Sequence, residues 1–339
     1  MWLAETWFFL WALLWLVYFV VDGYTLGVGM VFPFLGKKDQ EQRQMQEAIG
    51  PFWNGNEVWL ITAGGATFAA FPLVYAQMFS KLYIPLYLIL FALFYRAAGL
   101  EFMKKLEGGS WQTFWKWAFF TGSLLVSLLL GVAFANLFLG LEFSKEVYGV
   151  AFTSLLNAYG ILGGLLFVTV MVQSGLLWLS AKVEGPLREK ASTYSRYLWP
   201  AVLVVAGLFL AATGDRTTLL GNYLEHPVLF LIPALAVVGF LLVPYFQGRK
   251  LPWGAFFSHS LGFFLLMGTG FVGMFPRMLI SRLDPSATIT LYEAASSPLT
   301  QSIMLGVAVV MVPIVVGYQL WAYGLFRKPI KPEEAKGYS

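Results

Sequence analysis

Long apolar stretches separated by short polar connections dominate the pattern of this chain. An α-helix rises 1.5 Å per residue, so about 20 apolar residues cross the hydrocarbon core of a bilayer. The pattern predicts about nine membrane-spanning helices, at residues 5–34, 57–79, 82–101, 112–139, 153–182, 196–213, 224–246, 254–276 and 300–326. The longest connection, 277–299, leaves no room for a soluble domain. We therefore predict an all-α integral membrane protein with a polytopic transmembrane domain over 1–327 and a disordered cytoplasmic tail over 328–339.

Composition supports this class and excludes several kinds of site. The chain is 58% hydrophobic and only 12% charged, whereas soluble domains carry about 25% charged residues. Because cysteine is absent, disulfides, zinc–thiolate sites, iron–sulfur clusters and thiol catalysis are excluded. The two histidines are too few for several haems. We interpret His226 as an interfacial residue and His259 as a buried, hydrogen-bonded imidazole, so redox chemistry would belong largely to a partner.

Basic residues are distributed unevenly between the two faces that alternate connections define. Of the 22 Lys and Arg residues, one face receives only Lys81, Lys145, Arg216, Arg277 and Arg282. Short loops rich in Lys and Arg remain in the cytoplasm. The asymmetry therefore predicts a cytoplasmic C-terminus and, with an odd number of helices, an N-terminus outside.

Several ionisable side chains interrupt the apolar spans near the predicted cytoplasmic face. Asp22 lies in the first span, and Asn54 and Glu57 lie at the start of the second. Arg96 and Glu101 lie at the end of the third and, five residues apart on a helix, point in different directions. We therefore expect Arg96 to pair with Asp22 or Glu57. Buried charges must be partnered, and such groups often mark proton routes, but a purely structural ion pair would have the same pattern.

The stretch 49–72, IGPFWNGNEVWLITAGGATFAAFP, places small residues beside these polar groups. Gly64, Gly65 and Ala69 recur at helical spacing, and small residues allow membrane helices to approach closely. We predict a helix-packing face there, either inside this chain or against a partner. An interfacial cap on a helix start is the simpler interpretation of the polar residues.

Three motifs carry a family resemblance. DGYTLGVGM at 22–30, followed after a short basic loop by the stretch 49–72 and then by YRAAGLEF at 95–102, resembles subunit II of cytochrome bd quinol oxidases. The resemblance is strong over 22–102 and rests mainly on hydropathy and length through residue 326.

This resemblance implies two four-helix bundles plus one peripheral helix, in the bacterial cytoplasmic membrane. It implies a haem-bearing partner, subunit I, which holds two haems b and one haem d and oxidises quinol while dioxygen is reduced to water. Subunit II would bind no haem or other metal, stabilise subunit I and contribute a cytoplasmic proton route. A small single-helix third subunit is left open, and no nucleic-acid partner is expected.

Two positions depart from the family pattern. Family members commonly have Asp where Asn54 stands and often Asp where Thr25 stands. Since Asn cannot ionise, Glu57 or Glu101 would have to carry the charge, and the proton supply could run mostly through subunit I. The alternative function is a proton- or cation-coupled secondary transporter with Asp22 and Glu57 as coupling sites, although neither inverted repeats nor midplane charges are evident.

Overall fold

A computed structural model of the chain describes residues 1–103, 105–106, 109–146 and 149–337. Lys104, one of the basic residues counted for the orientation, lies outside the described residues, as do Tyr338 and Ser339 of the tail. Within the described residues, eight helices are long and apolar enough to cross a membrane.

The first half of the chain forms a group of helices around a continuous N-terminal span. They are α1 (Trp2–Val21), α2 (Gly23–Leu35), α3 (Asp39–Ile49), α4 (Trp53–Ala70), α5 (Pro72–Lys81), α6 (Tyr83–Phe102) and α7 (Gly109–Leu139). The first four-helix bundle consists of the continuous α1–α2 span, α4, α6 and α7.

The second half forms a second group of helices. Its helices are α8 (Phe152–Leu155), α9 (Ala158–Lys182), α10 (Pro186–Arg216), α11 (Leu220–Glu225), α12 (Leu231–Gly248), α13 (Pro252–Met274), α14 (Leu291–Ala294) and α15 (Pro298–Leu325). The four long helices α9, α10, α12 and α13 form the second bundle, and α9 packs against α2 and α7 of the first. The connection after α13 contains a small antiparallel hairpin of β1 (Arg277–Leu279) and β2 (Ile289–Thr290).

Helix α15 lies outside both bundles. Gln301 is its single buried residue, and the rest of the helix is partly or fully exposed. The architecture of two four-helix bundles plus one peripheral helix is thus confirmed.

Some predicted helix boundaries were wrong. The predicted span 57–79 breaks at Phe71, because Pro72 has no N–H to continue a helix and instead begins α5. The separated α4 is not among the eight apolar spans, although it occupies a span's place in the first bundle. The predicted span 196–213 lies within the much longer α10, since the polar residues before it remain helical.

A glycine pair brings the two bundles into contact. An added Cβ on Gly27 would lie 1.8 Å from the Met171 carbonyl oxygen, and one on Gly175 would lie 2.4 Å from the Gly27 carbonyl carbon. The backbones of α2 and α9 therefore touch, which is the packing that small residues allow between membrane helices.

The predicted short basic loop between the first two spans is in fact largely the helix α3. Glu41 accepts hydrogen bonds from the backbone N–H groups of Lys37 and Lys38 at 3.1 and 3.2 Å, and it forms an ion pair with Lys190 of α10. The Trp178 indole N–H donates to the Ala48 carbonyl at 3.0 Å. These contacts hold α3 against the second bundle.

The Glu41 contact predicts a pH-dependent contribution to stability. Burial raises the pKa of Glu41, but the hydrogen bonds from Lys190 and the backbone outweigh it and hold the pKa below its ordinary value. The contribution is therefore present above the ordinary carboxyl pKa and is lost as the pH falls through the lowered folded-state pKa. We expect Glu41→Gln to decrease the free energy of unfolding at neutral pH by about 1–2 kcal/mol, with the difference vanishing in acid.

Thermal unfolding of the unmodified protein and of the Glu41→Gln variant, each at neutral and at acidic pH, measures this effect. The control is Asp39→Asn, which breaks only the exposed pair with Arg43 and should change stability little. An equal effect of Glu41→Gln at both pH values would show that the charge of Glu41 is not responsible.

The prediction of a disordered tail was wrong for residues 328–337. The Ile330 N–H donates to the Lys182 carbonyl, the Glu184 N–H donates to the Ile330 carbonyl, and Gln44 Nε2 donates to that same carbonyl, each at 2.9 Å. The buried Lys182 ammonium donates to the carbonyls of Phe326 and Lys328. A buried cation needs such acceptors, so the tail completes the structure at this face.

Candidate functional site

The site is centred on Arg96 of α6, whose side chain is 1% exposed. Its Nη2 donates to Asp22 Oδ1 at 3.2 Å and to Thr25 Oγ1 at 2.6 Å. Its Nη1 donates to Glu57 Oε1. The guanidinium therefore joins three elements of the first bundle: the α1–α2 junction, the beginning of α4 and the end of α6. We call Asp22, Thr25, Glu57 and Arg96 the Arg96 cluster.

The α1–α2 junction places Asp22 inside the bundle. Asp22 and Gly23 are weak helix formers, and the chain turns there without losing its helical direction. The Asp22 N–H still donates to the Tyr18 carbonyl, and the Leu26 N–H donates to the Asp22 carbonyl, both at 2.9 Å. Thr25, three residues after Asp22, donates to its carboxylate from one side.

Helix α7 approaches Arg96 closely from the opposite side. A Cβ on Gly122 would lie 2.7 Å from the Arg96 backbone nitrogen and 2.8 Å from the Arg96 Cβ. Any larger residue at position 122 would push α7 away. The glycine thus allows the α7 backbone to pack directly over Arg96.

Charge and hydrogen bonding in the cluster are both incomplete. Two carboxylates face one guanidinium, so full ionisation would leave one net negative charge in the bundle. Within the described residues, Arg96 Nε is buried without a hydrogen-bond partner. The Glu57 side chain is 20% exposed, whereas the Asp22 side chain is 0% exposed. The cluster therefore extends from a partly accessible carboxylate to an inaccessible one.

A second polar network adjoins the cluster, and the sequence did not predict it. Asn56 Nδ2 donates to the Val21 carbonyl at 2.7 Å and to the Tyr24 hydroxyl at 3.0 Å. The Tyr323 hydroxyl of α15 donates to Asn56 Oδ1 at 3.1 Å and lies 2.9 Å from the Tyr24 hydroxyl. Helical periodicity indicated that only one of Asn54 and Asn56 could be buried, because the two side chains point to different sides of the helix.

The other predicted polar residues lie away from the cluster. Asn54 is exposed at the start of α4. Glu101 is partly exposed near the end of α6 and makes no ion pair within the described part of the chain. Arg96 and Glu101 do point apart, and the predicted pairing of Arg96 is present with both Asp22 and Glu57.

The predicted packing face has open space beside its two glycines within the described part of the chain. A Cβ on Gly64 or Gly65 would meet no atom within 4 Å, and Ala69 is only partly buried. Both glycines line an apolar groove of about 600 Å³ between α4 and α6. A role of this face in packing against a partner stays a prediction.

Neither histidine belongs to the Arg96 cluster. His226 is exposed after α11. The His259 ring is buried on α13, where Nε2 lies 2.9 Å from the Val170 carbonyl oxygen and the ring packs 5.3 Å from Phe240. Among the described residues, no group of three or more His, Cys, Asp or Glu side chains could hold a metal ion.

Comparison with known proteins identifies the family. Residues 3–326 match the model of the family described as cytochrome bd terminal oxidase subunit II. The chain belongs to this family. It is 34% identical over 337 residues to cytochrome bd ubiquinol oxidase subunit 2 of Bacillus subtilis, with 99% of each chain covered. It is 35% identical over 350 residues to cytochrome bd-I ubiquinol oxidase subunit 2 of Escherichia coli K12, covering 94% of this chain and 92% of that one.

A solved structure shows the same fold. The bd oxidase from Geobacillus thermodenitrificans aligns with a TM-score of 0.77 and 16% sequence identity, covering 97% of this chain and 100% of that one. Membership of the bd oxidase subunit II family supports a subunit of a terminal oxidase and not the transporter alternative. It also implies a partner subunit I, haems within the complex and a multi-pass membrane location.

Proposed function

We propose that this chain is the haem-free subunit II of a bd-type quinol oxidase and that the Arg96 cluster admits protons from the cytoplasm. Subunit I would bind the two haems b and the haem d, oxidise quinol and reduce dioxygen. The chain would stabilise subunit I, with its N-terminus outside and its C-terminus in the cytoplasm of a bacterium. A small single-helix subunit could complete the complex.

The reaction of the complex sets the need for a proton inlet. Reducing one dioxygen to two waters takes four electrons, supplied by two quinols, and four protons. If quinol releases its protons outside and the consumed protons come from the cytoplasm, charge is separated across the membrane without pumping. A proton that enters the low-dielectric interior needs groups that can hold it without a large desolvation penalty.

The observation that carries the proposal is the excess carboxylate of the cluster. A buried charge without a partner costs several kcal/mol, so adding a proton relieves the imbalance of two carboxylates and one guanidinium. Glu57 is partly accessible and would receive the proton, and Asp22 is fully buried and would pass it inward. Arg96 does not give up its proton in proteins and would act as the fixed countercharge.

The test is oxygen reduction by the assembled oxidase carrying Asp22→Asn. Asn keeps the shape of Asp but cannot bind the transferred proton, so we expect turnover to fall roughly tenfold or more with haem content unchanged. Glu57→Gln should have the same effect. Glu101→Gln tests whether the route extends to Glu101, which the sequence offered beside Glu57 as a residue that could carry the charge, and slower turnover would include it in the route.

The matched control is Asp39→Asn, an equal charge change at an exposed position of α3. Loss of haem from the Asp22→Asn complex would show that the cluster stabilises the complex and does not carry protons. Unchanged turnover with intact haem would place the proton route elsewhere, for example in subunit I.

A further inference from the structure

A polar cavity of about 620 Å³ lies in the second bundle, and none of its lining residues belongs to the Arg96 cluster. It opens between the last turns of α9, the first turns of α10 and the connection from α12 to α13. Arg188, Arg196 and Lys250 line it together with a single acidic residue, Glu189. Hydroxyl groups of Ser180, Ser192 and Thr193 also contribute to its wall.

The charge of this cavity is unbalanced. Arg188, Arg196 and Lys250 are exposed, and none of the three forms an ion pair within the described residues. With Glu189 counted against them, two positive charges remain. Arg188 and Arg196 belong to the same helix, and Lys250 reaches the cavity from the α12–α13 connection. Cations from separate elements therefore surround one volume, which suits an anion.

A buried amide lines the same cavity. Gln247 is 7% exposed, its Nε2 donates to Ser195 Oγ at 2.8 Å, and Gln173 Nε2 donates to the same oxygen at 2.9 Å. Gln247 Oε1 has no partner within the described residues. Turning this amide lets the Ser195 hydroxyl donate to Oε1 and frees the NH₂ group, because the two ends of a Gln side chain have nearly the same shape. The NH₂ group then occupies a buried position in the wall of the cavity.

The surroundings of the cavity distinguish a lipid from a soluble anion. Leu251, which lines the cavity, is 49% exposed, and Tyr194 and Tyr197 beside the polar wall are also exposed. Exposed aromatic residues near the end of a membrane-spanning helix are typical of a membrane interface. The span that contains α12 is strongly apolar and largely unburied, so acyl chains could lie along it.

We propose that this cavity binds the phosphate of an anionic phospholipid headgroup such as that of phosphatidylglycerol. Arg188 and Arg196 contact the phosphate through their planar donor forks, which match phosphate geometry. Lys250 adds a third charge. Basic pockets between helices at the cytoplasmic face of a membrane recognise such headgroups. The site is independent of the proton route.

The experiment uses the purified oxidase complex in nanodiscs of phosphatidylcholine with a trace of photoreactive phosphatidylglycerol. Crosslinked peptides are mapped by mass spectrometry, and affinity is measured by competition with unlabelled phosphatidylglycerol. We expect crosslinks to peptides that contain 188–196 and 247–252. The variant Arg188→Gln/Arg196→Gln/Lys250→Gln should weaken competition roughly tenfold or more.

The matched control is Lys37→Gln/Lys105→Gln/Arg327→Gln, an equal loss of charge at exposed positions that do not line the cavity. An equal loss of affinity in this control would overturn the proposal, because a general surface attraction would then suffice. Crosslinking by phosphatidylcholine analogues to the same extent would also overturn it. Complete displacement by inorganic phosphate alone would assign the cavity to a soluble anion and not to a lipid.

Discussion

Replacing Arg96 by Gln should destabilise the protein more than any other single charge removal in the first bundle. The variant leaves the buried Asp22 carboxylate and the partly exposed Glu57 carboxylate without their cation, and breaking a buried ion pair from one side costs about 3–5 kcal/mol. Assembled oxidase and its haem content should fall accordingly. The yield of intact complex and its thermal unfolding midpoint measure both effects.

The neutral triple variant Asp22→Asn/Glu57→Gln/Arg96→Gln isolates the cause. It removes all three charges and should recover most of the lost stability, because no unpaired charge remains. Arg249→Gln is the control, since Arg249 is exposed and stacks on the Tyr245 ring. If Arg96→Gln unfolds like the unmodified protein, the ion pairs do not hold the bundle together.

Replacing Gly27 by Ala should disrupt the contact between the two bundles. The new methyl group would overlap the Met171 carbonyl oxygen of α9, and two packed backbones cannot move apart without losing neighbouring contacts. We expect a loss of roughly 3 kcal/mol or more in the free energy of unfolding. Denaturant titration of the detergent-solubilised chain measures it.

A Gly→Ala substitution where space is open should not decrease the free energy of unfolding. Gly207 on α10 has no atom within 4 Å of an added Cβ, so Gly207→Ala should be neutral or stabilise by about 0.5–1 kcal/mol through helix propensity. Gly64→Ala should change the stability of the isolated chain as little as Gly207→Ala does.

A loss of stability for Gly64→Ala only in the complex would support a packing face against subunit I. Equal effects of Gly27→Ala and Gly207→Ala would contradict the close contact.

The sequence predicted those features that depend on local pattern. Apolar length sets the spans, and the family resemblance implied their arrangement as two bundles plus one peripheral helix, without indicating that α15 is the peripheral one. A pairing of Arg96 with Asp22 or Glu57 could be predicted because an isolated charge near the bilayer needs a partner, but that it pairs with both could not. Glu101 was correctly expected to point elsewhere, since five residues on a helix are about one turn and a half.

Features that depend on distant contacts could not be predicted. Whether Asn54 or Asn56 is buried depends on where α4 begins and how it rotates against Tyr24, which one segment does not specify. The close approach of helices occurs at Gly27 and Gly175, although the run around Gly64 has the same small-residue pattern. The ordered tail depends on acceptors required by Lys182, 144 and 146 positions earlier in the chain than Phe326 and Lys328.

The position of Tyr323 has a consequence for biosynthesis. Its hydroxyl completes the Asn56 network across 267 residues, and Gln319 of the same helix accepts a hydrogen bond from the Trp59 indole at 3.0 Å. The ribosome makes α4 long before it makes α15, so until α15 is inserted the Asn56 amide oxygen and the Trp59 indole N–H lack these partners. Insertion of α15 removes that exposure. A nascent chain stalled before residue 319 would therefore expose unpaired polar groups on α4, by which membrane proteases and chaperones would recognise it as incomplete.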